Sequence, residues 1–543
     1  VMVVFDKTAA LTVVPLQVGT LDEAGHVSWQ GSTSVTAGWD ETAQRPVLVL
    51  DPDTTPEDWQ LWPLNATDQP GLWRTELSGS VRATPLKVMG ARTEEVGTPG
   101  YTYNRQTLVA LDPDTLLPVV AQWQYAGEEA VVTTDRFPDT QPGKRLTVSR
   151  GGVFSPAVTL SESNIVGNGY SLYDALAARL DDGTVTAWGY PSYGGTPPVD
   201  PANLNVVQLA ASSEAFTAVN AAGQVMGWGN TAKGGSVPPD ITGLTDIVSV
   251  AGAWYAFAAL RATGEVVAWG DAAEGGSVPP AITDLADIVS VTGNGHAFAA
   301  LRATGEVVAW GYPSYGGSVP QDITDLTDIV SVTGSSAAFA ALRATGEVVA
   351  WGGSGYGGSV PQDITDLTDI VSVTGNRYAF AALRATGEVV AWGDAAEGGS
   401  VPSSITDLTD IVSVTGDGYA FAALRATGEV VAWGYASSGG SVPQDITDLT
   451  DIVSVTGNGY AFAALRATGE VVAWGNSSFG GSITADIAAQ LTGVRAVYAT
   501  GCSFCALKDD NTVVVWGTAY AGSMDNVPAT LQGNIAYEVA PDA

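Results

Sequence analysis

The sequence predicts an all-β protein: a β-propeller of about nine short blades, closed by the carboxy-terminal strand and preceded by one or two small β-sandwich domains. Three observations carry this. Trp-Gly recurs at Trp188, Trp228, Trp269, Trp310, Trp351, Trp392, Trp433, Trp474 and Trp516, spaced by 40, then 41 six times, then 42 residues. Each copy contains three short apolar or β-branched runs separated by turn residues. Of 543 residues 45% are apolar, only 15% are charged and 65 are glycine, a balance that suits turn-rich β structure better than helices.

The copy from Asp451 to Gly475 reads DIVSVTGNGYAFAALRATGEVVAWG. Ile452 to Thr456 is its first strand, Ala461 to Arg466 its second and Glu470 to Trp474 its third. Between the last two lies Ala-Thr-Gly, a three-residue hairpin with Gly469 at the left-handed position. Arg466 and Glu470 flank that turn, as do five sister pairs beginning with Arg261 and Glu265. They read as turn stabilisers at ~0.2–1 kcal/mol each. After most Trp-Gly pairs comes a variable stretch, a Gly-Gly-Ser-Val-Pro loop and a descending segment such as Gln444 to Asp451, expected as a ragged outer strand or turn. One such unit cannot bury both faces alone, and radial stacking of four-stranded units gives a propeller.

The ends bear on closure. Ile165 to Tyr170 (IVGNGY) reads as a turn, so the first unit lacks a good first strand, while Ile535 to Val539 is a strand without mates. The tail is expected to complete the first blade. Residues 1–160 do not share the repeat; β-like runs at Leu11 to Val18, Val47 to Leu50, Thr107 to Leu111 and Val119 to Tyr125 are separated by turn clusters. The expected division is a β-sandwich-like domain over 1–88, a second small Ig-like β domain over 89–160, and the propeller over 161–543.

Trp-Gly at a strand end, then Gly-Gly and Pro, then Ile-Val-Ser-Val and an Ala-Leu-x-x-x-Gly hairpin, resembles the regulator of chromosome condensation repeat. The resemblance spans about residues 161 to 543, and the short period is more similar to bacterial members such as certain β-lactamase inhibitor proteins. It implies a propeller that binds proteins through loops on one face. Family members usually carry seven blades; nine Trp-Gly units occur here. The family's functions are diverse, so the fold alone assigns none of them.

Most of each unit is copied letter for letter, but two windows vary. One follows the first strand (Trp254, Tyr255, His296, Arg377, Tyr378, Tyr419, Tyr460, Phe504); the other follows Trp-Gly (Tyr190, Tyr193, Tyr312, Tyr315, Tyr356, Tyr435, Phe479). Alternating strand direction brings both windows to one face of the disc and the constant Ala-Thr-Gly turns to the other. The windows are rich in Tyr among Ser, Gly and Asn, the composition of a recognition surface, where stiff aromatic rings supply area and small polar residues adapt. These fifteen residues are the candidate partner-binding set.

Other chemistry finds little footing. With 57 acidic and 22 basic side chains, the net charge of −35 disfavours nucleic acid and anionic membrane. No run of 18 apolar residues occurs, so membrane insertion is not expected. Two histidines, His26 and His296, cannot build a multi-histidine centre. Cys502 and Cys505 have Cys-x-x-Cys spacing but read as buried or edge thiols. Rows such as Asp363, Asp366 and Asp369 could gather calcium but lack a calcium-loop glycine; solvated blade corners explain them better. The repeated strands offer mostly Ala, Val and Ser to a central channel, against a glycan-processing enzyme. No cofactor or metal site is expected.

The expected function is therefore non-enzymatic: a bacterial secreted or surface interaction protein recognising a protein, with a cell-surface receptor or glycan as further partners to consider. The near-identity of the copies points to recent repeat expansion, which fits adhesins, secreted inhibitors and toxin-delivery components alike. An extracellular or cell-surface location is expected, although the chain opens at Val1 without a basic, apolar leader, which leaves a cytoplasmic protein or a processed leader as the two readings. A toxin component, an enzyme inhibitor and a purely structural module are the alternatives.

Overall fold

A computed structural model describes residues 85–93, 107–149 (save 114), 157–162, 165–169, 173–197, 205–518, 527–535 and 537–539, together with the backbone of five strands between Thr12 and Glu76. From Ile165 to Gly517 the chain forms nine consecutive three-stranded antiparallel sheets, one per Trp-Gly, here called units 1 to 9. In unit 4 the inner strand is Ile288–Gly293, the middle strand Ala297–Arg302 and the outer strand Val307–Gly311. Inner strands of successive units abut. They are tied by Thr hydroxyls: Thr292 Oγ1 donates to the Val332 carbonyl (3.3 Å) and Thr374 Oγ1 to that of Val414 (3.2 Å).

The middle strand is apolar up to its final arginine because it is covered on both sides. Ala297, Ala299 and Leu301 of unit 4 pack against Phe339, Ala341 and Trp351 of unit 5 in one cluster, and the pattern repeats around the array. Within a unit the Phe and Trp rings stack (Phe298 on Trp310, centroids 5.4 Å apart). Trp310 Nε1 also donates to the Gly275 carbonyl of the preceding unit (2.9 Å), so the repeated indole joins blades as well as filling them. Gly275 sits at φ 96°, and a Cβ there would lie 2.7 Å from the Phe298 ring; the first glycine of Gly-Gly is fixed by both constraints.

Of the ragged outer strand or turn expected after each outer strand, turns form. A short 3₁₀ turn (Pro313–Tyr315) and a one-turn helix (Gln321–Thr324) follow unit 4. The helix starts directly after Pro320, whose missing N–H suits a helix start, and buries Ile323 against the next unit.

Closure also differs from the expectation. Ile165–Gly167 is a strand and pairs with Ala175–Arg179, so unit 1 owns its inner strand despite the glycines of IVGNGY. Units 1 and 9 meet directly: Gly501 N–H donates to the Asn168 carbonyl (3.3 Å), and Thr500 Oγ1 to the Asp174 carboxylate. The tail does not complete the first sheet. Glu538 and Val539 pair with Leu160 and Thr159, in a five-stranded sheet with Val158–Leu160, Leu146–Ser149, Ala121–Tyr125 and Val132–Thr134. What the tail does supply is a linker. Asp181 N–H donates to the Asn534 carbonyl (2.9 Å), as Ala262 N–H does to that of Asp246 between units 2 and 3 (2.7 Å).

Lys87–Met89 pairs with Thr107–Leu111, so the expected boundary at 88/89 falls inside a strand. Residues from Leu86 to Leu160 share one core with units 8, 9 and 1. Gly90 N–H donates to the Arg495 carbonyl of unit 9 (3.0 Å), and Tyr537 Oη to the Gly90 carbonyl (2.6 Å). Further toward the amino terminus, Thr12–Leu21, Val27–Asp40 and Arg45–Val49 form a three-stranded antiparallel sheet. The side chains there, and so the sandwich expected over 1–88, lie outside the described residues.

Candidate functional site

Both variable windows lie on one face, and in six of the units one residue welds them together. Asn294 opens the first window of unit 4: its Oδ1 accepts from the His296 and Ala297 N–H groups (2.7 Å each), and its Nδ2 donates to the Tyr315 carbonyl in the second window (2.7 Å). Asn376 reaches Glu397, Asn458 reaches Phe479 and Asn168 reaches Tyr193 in the same way, and Ser335 does so with Tyr356 through its hydroxyl. A residue that donates and accepts at once fixes both loops against a rigid sheet.

The next position forms a backbone necklace around the axis. Gly169 N–H donates to the Ser213 carbonyl, Ser213 to Trp254, Trp254 to Gly295, Gly295 to Ser336 and Ser336 to Arg377, at 3.0–3.3 Å; Gly459 donates to Gly501 in the same way. Most of these residues are Gly or Ser. The exceptions are Trp254, almost fully buried, and Arg377. The Arg377 guanidinium lies 5.8 Å from the Trp254 ring, 5.4 Å from Tyr378 and 5.9 Å from Tyr419, and its Nη1 donates to Tyr419 Oη (3.1 Å).

Outside the necklace runs an aromatic arc. His296 bridges the windows, 4.7 Å from Trp254 and 4.7 Å from Tyr315. From Tyr315 the rings continue to Tyr356 (6.2 Å), Tyr378 (5.3 Å), Tyr419 (5.8 Å), Tyr460 (5.6 Å) and Phe479 (4.3 Å). Tyr312 stacks on Tyr315 (4.9 Å), and Tyr435 lies 6.3 Å from Tyr419. Tyr312 and Tyr435 are about half exposed (44% and 50%), enough for a partner to touch them. Tyr190 and Tyr193 form a separate group with Tyr173, which stacks on Tyr190 (4.4 Å). Partial burial, then the Glu214 carboxylate, pushes the Tyr193 hydroxyl up to about 12. Tyr255 carries the Lys233 ammonium 3.4 Å from its ring centre.

Fourteen of the fifteen sequence-derived residues stand on this face. Phe504 does not: it is fully buried and stacks on Trp516 (5.3 Å), the place of Phe462 in unit 8. Its alignment with the Phe of Ala-Phe-Ala-Ala-Leu was the available signal. Sequence reasoning missed Tyr173, in a unit whose first window diverges, and the charged residues Lys233, Glu274 and Glu397 set among the rings.

The other candidate chemistry takes structural roles. Burial raises both thiols, Cys502 and Cys505, well above their ordinary value, so neither is poised as a thiolate. Asp369 holds Arg384 (3.0 Å) and Asp366 accepts from Gln362 (2.7 Å). Among the described residues no group of three His, Cys, Asp or Glu side chains could hold a metal ion.

No family model matches this chain, and no curated protein does. Solved structures do. The ectodomain of the receptor kinase CR4 from Physcomitrella patens is similar at 20% identity and a TM-score of 0.35, over 50% of this chain and 73% of that one. Prp20p from Saccharomyces cerevisiae, the yeast RCC1, is similar at 16% identity and a TM-score of 0.31, over 52% and 73%. BamB from Moraxella catarrhalis is similar at 14% identity and a TM-score of 0.33, over 65% and 98%. The likeness is one of repeated β sheets and assigns no function.

Proposed function

We propose that this protein is a non-enzymatic binding protein, secreted or displayed at a cell surface, whose aromatic face recognises a partner protein. One observation carries the reading: two loops per unit vary while the sheets stay constant, and in six units the variable pair is locked onto the same face by an Asn or Ser hydrogen bond. Stiff rings mounted on a rigid sheet lose little entropy when a partner covers them, the condition under which aromatic anchors dominate affinity. Small polar residues between them let the same scaffold be re-specified unit by unit.

The test is a triple variant, Tyr312→Ser, Tyr378→Ser and Tyr435→Ser, compared with the intact protein. Thermal unfolding should remain cooperative, while capture of the partner from the producing organism's surface fraction should fall about tenfold or more. A purely structural module would keep its partners, and that result would remove the reading.

A further inference from the structure

Two units carry the same loop, Asp-Ala-Ala-Glu-Gly-Gly-Ser-Val-Pro, at 271–279 and 394–402. In both, the Asp caps the following turn through its own side chain: Asp271 accepts from Ala273 N–H and Asp394 from Ala396 N–H. The glutamates part company. Glu274 Oε2 meets His296 Nδ1 at 2.7 Å, a partner supplied by the first window of the next unit. At the corresponding place in unit 7 the residue is Tyr419. Glu397 Oε2 is shut off from water and has no hydrogen-bond partner.

The surroundings leave that charge uncompensated. Partial burial and then Asp394 push the Glu397 carboxyl above its ordinary value, and Arg377 pulls the other way. Asp417, fully buried, adds a carboxyl nearby. Tyr356, Tyr378 and Tyr419 form a continuous run of rings beside the site. This face also shows how it handles a cation: Lys233 lies over the Tyr255 ring and Arg377 among Trp254, Tyr378 and Tyr419.

We infer that Glu397 is the anchor for a lysine or arginine side chain of the partner protein, which completes in trans the contact that His296 gives Glu274 in cis. The inference rests on the aromatic face being the recognition surface. A cation arriving at Glu397 would relieve a partly desolvated carboxylate, lay its stem along Tyr378 and meet a chain of net charge −35. A neutral glycan would use the rings but leave the carboxyl as it is.

The probe is a fluorescent Gly-Ser peptide bearing two lysines, paired with its lysine-acetylated form, titrated into the full chain at physiological salt. The unacetylated peptide should bind and the acetylated one should be about tenfold weaker, the loss of one good charge contact. Glu397→Gln should cause a similar loss. Asp363→Asn, an exposed carboxylate on the one-turn helix Gln362–Thr365 after unit 5, should change affinity less than about twofold, since screened remote charges matter little. No binding by the wild type, or equal losses from Glu397→Gln and Asp363→Asn, overturns the inference. If Glu397→Gln is silent while Tyr378→Ser weakens the peptide, the aromatic face stands and only the anchor falls; if both are silent while a partner is still captured, binding lies elsewhere.

Discussion

The two faces of the disc solve opposite problems with the same strands. On one face the hairpin turns of units 3 to 8 are identical and hold their charges in clamps: Arg384 grips both oxygens of Asp369 (3.0 and 3.1 Å) and also bonds Glu388. On the other the loops differ from unit to unit, and their rings touch one another, Tyr193 and Tyr356 also packing on the core beneath. Repeated chemistry marks where the fold needs something. Varied chemistry, held in place by an invariant sheet, marks where the fold has left the surface free.

Substitutions across the boundary between core and face sharpen this. Trp310 and Tyr312 stand two residues apart. Trp310 is 1% exposed, stacks on Phe298 and donates to Gly275 of the neighbouring blade; Trp310→Ala should lower unfolding stability by about 3–5 kcal/mol, as large-to-small changes in close-packed cores do. Tyr312→Ser should stay within about 1 kcal/mol, because the ring is half exposed. Denaturant midpoints of the two variants measure the difference. Equal losses would mean that the aromatic arc is part of the scaffold, and the contrast between faces would collapse.

Next in size is the weld between the two windows. Asp417 stands where units 4, 6 and 8 have Asn. Its Oδ1 accepts from Tyr419 and Ala420 N–H (2.6 Å each), but its Oδ2 has no partner where Asn376 Nδ2 donates to the Glu397 carbonyl. Burial holds its carboxyl well above the ordinary range. Asp174, fully buried at the junction of units 1 and 9, is raised by burial from 3.8 to about 6. A folded-state value above the unfolded one means that stability is fully present below about pH 4 and falls as the pH rises toward the folded value. For Asp174 that loss is complete near pH 6 and amounts to roughly 3 kcal/mol, at about 1.4 kcal/mol per pH unit. Asp417→Asn should therefore stabilise the protein at neutral pH by about 1–3 kcal/mol, the range for satisfying a buried polar group. Asp174→Asn should flatten the melting temperature between pH 4 and 6. A melting curve that keeps its full pH dependence in both variants would show that these carboxyls do not govern it.

Much of this was legible in the sequence because the copies comment on one another. The nine Trp-Gly marks, the hairpin at Gly469 and the shared face of the windows all follow from period and strand alternation. What escaped was context. Ile165–Gly167 reads as a turn because of its glycine, which the approach of the neighbouring inner strand requires: a Cβ at Gly167 would lie 2.2 Å from the Ala499 carbonyl oxygen. The tail read as a blade strand because nothing local announces that Glu538 and Val539 pair with Leu160 and Thr159. Phe504 falls beside the first window in the sequence, but its register with Phe462 places it in the core.

The smallest effect separates the two kinds of arginine. Arg384 belongs to the constant face, where six Arg–Asp–Glu clamps repeat, from Arg261 with Asp246 to Arg466 with Asp451. The sequence showed the Arg–Glu pair; the Asp comes from the start of the unit's own inner strand and spreads the guanidinium over three elements. The clamp is still largely at the surface, with the Arg384 side chain 24% exposed and Glu388 31%. Arg384→Ala should thus cost no more than about 1 kcal/mol, shrinking as salt is raised. Arg384→Lys should recover only part of that, since an ammonium cannot match both oxygens of Asp369 in one plane. Neither change should alter partner capture, because the clamp and the aromatic arc occupy opposite faces. Arg377→Ala should do the reverse, leaving the denaturant midpoint within about 1 kcal/mol while weakening capture. If Arg384→Ala weakened capture as much as Arg377→Ala, the constant face would be a contact surface too, and sequence variation between copies would no longer be a guide to where this propeller meets its partner.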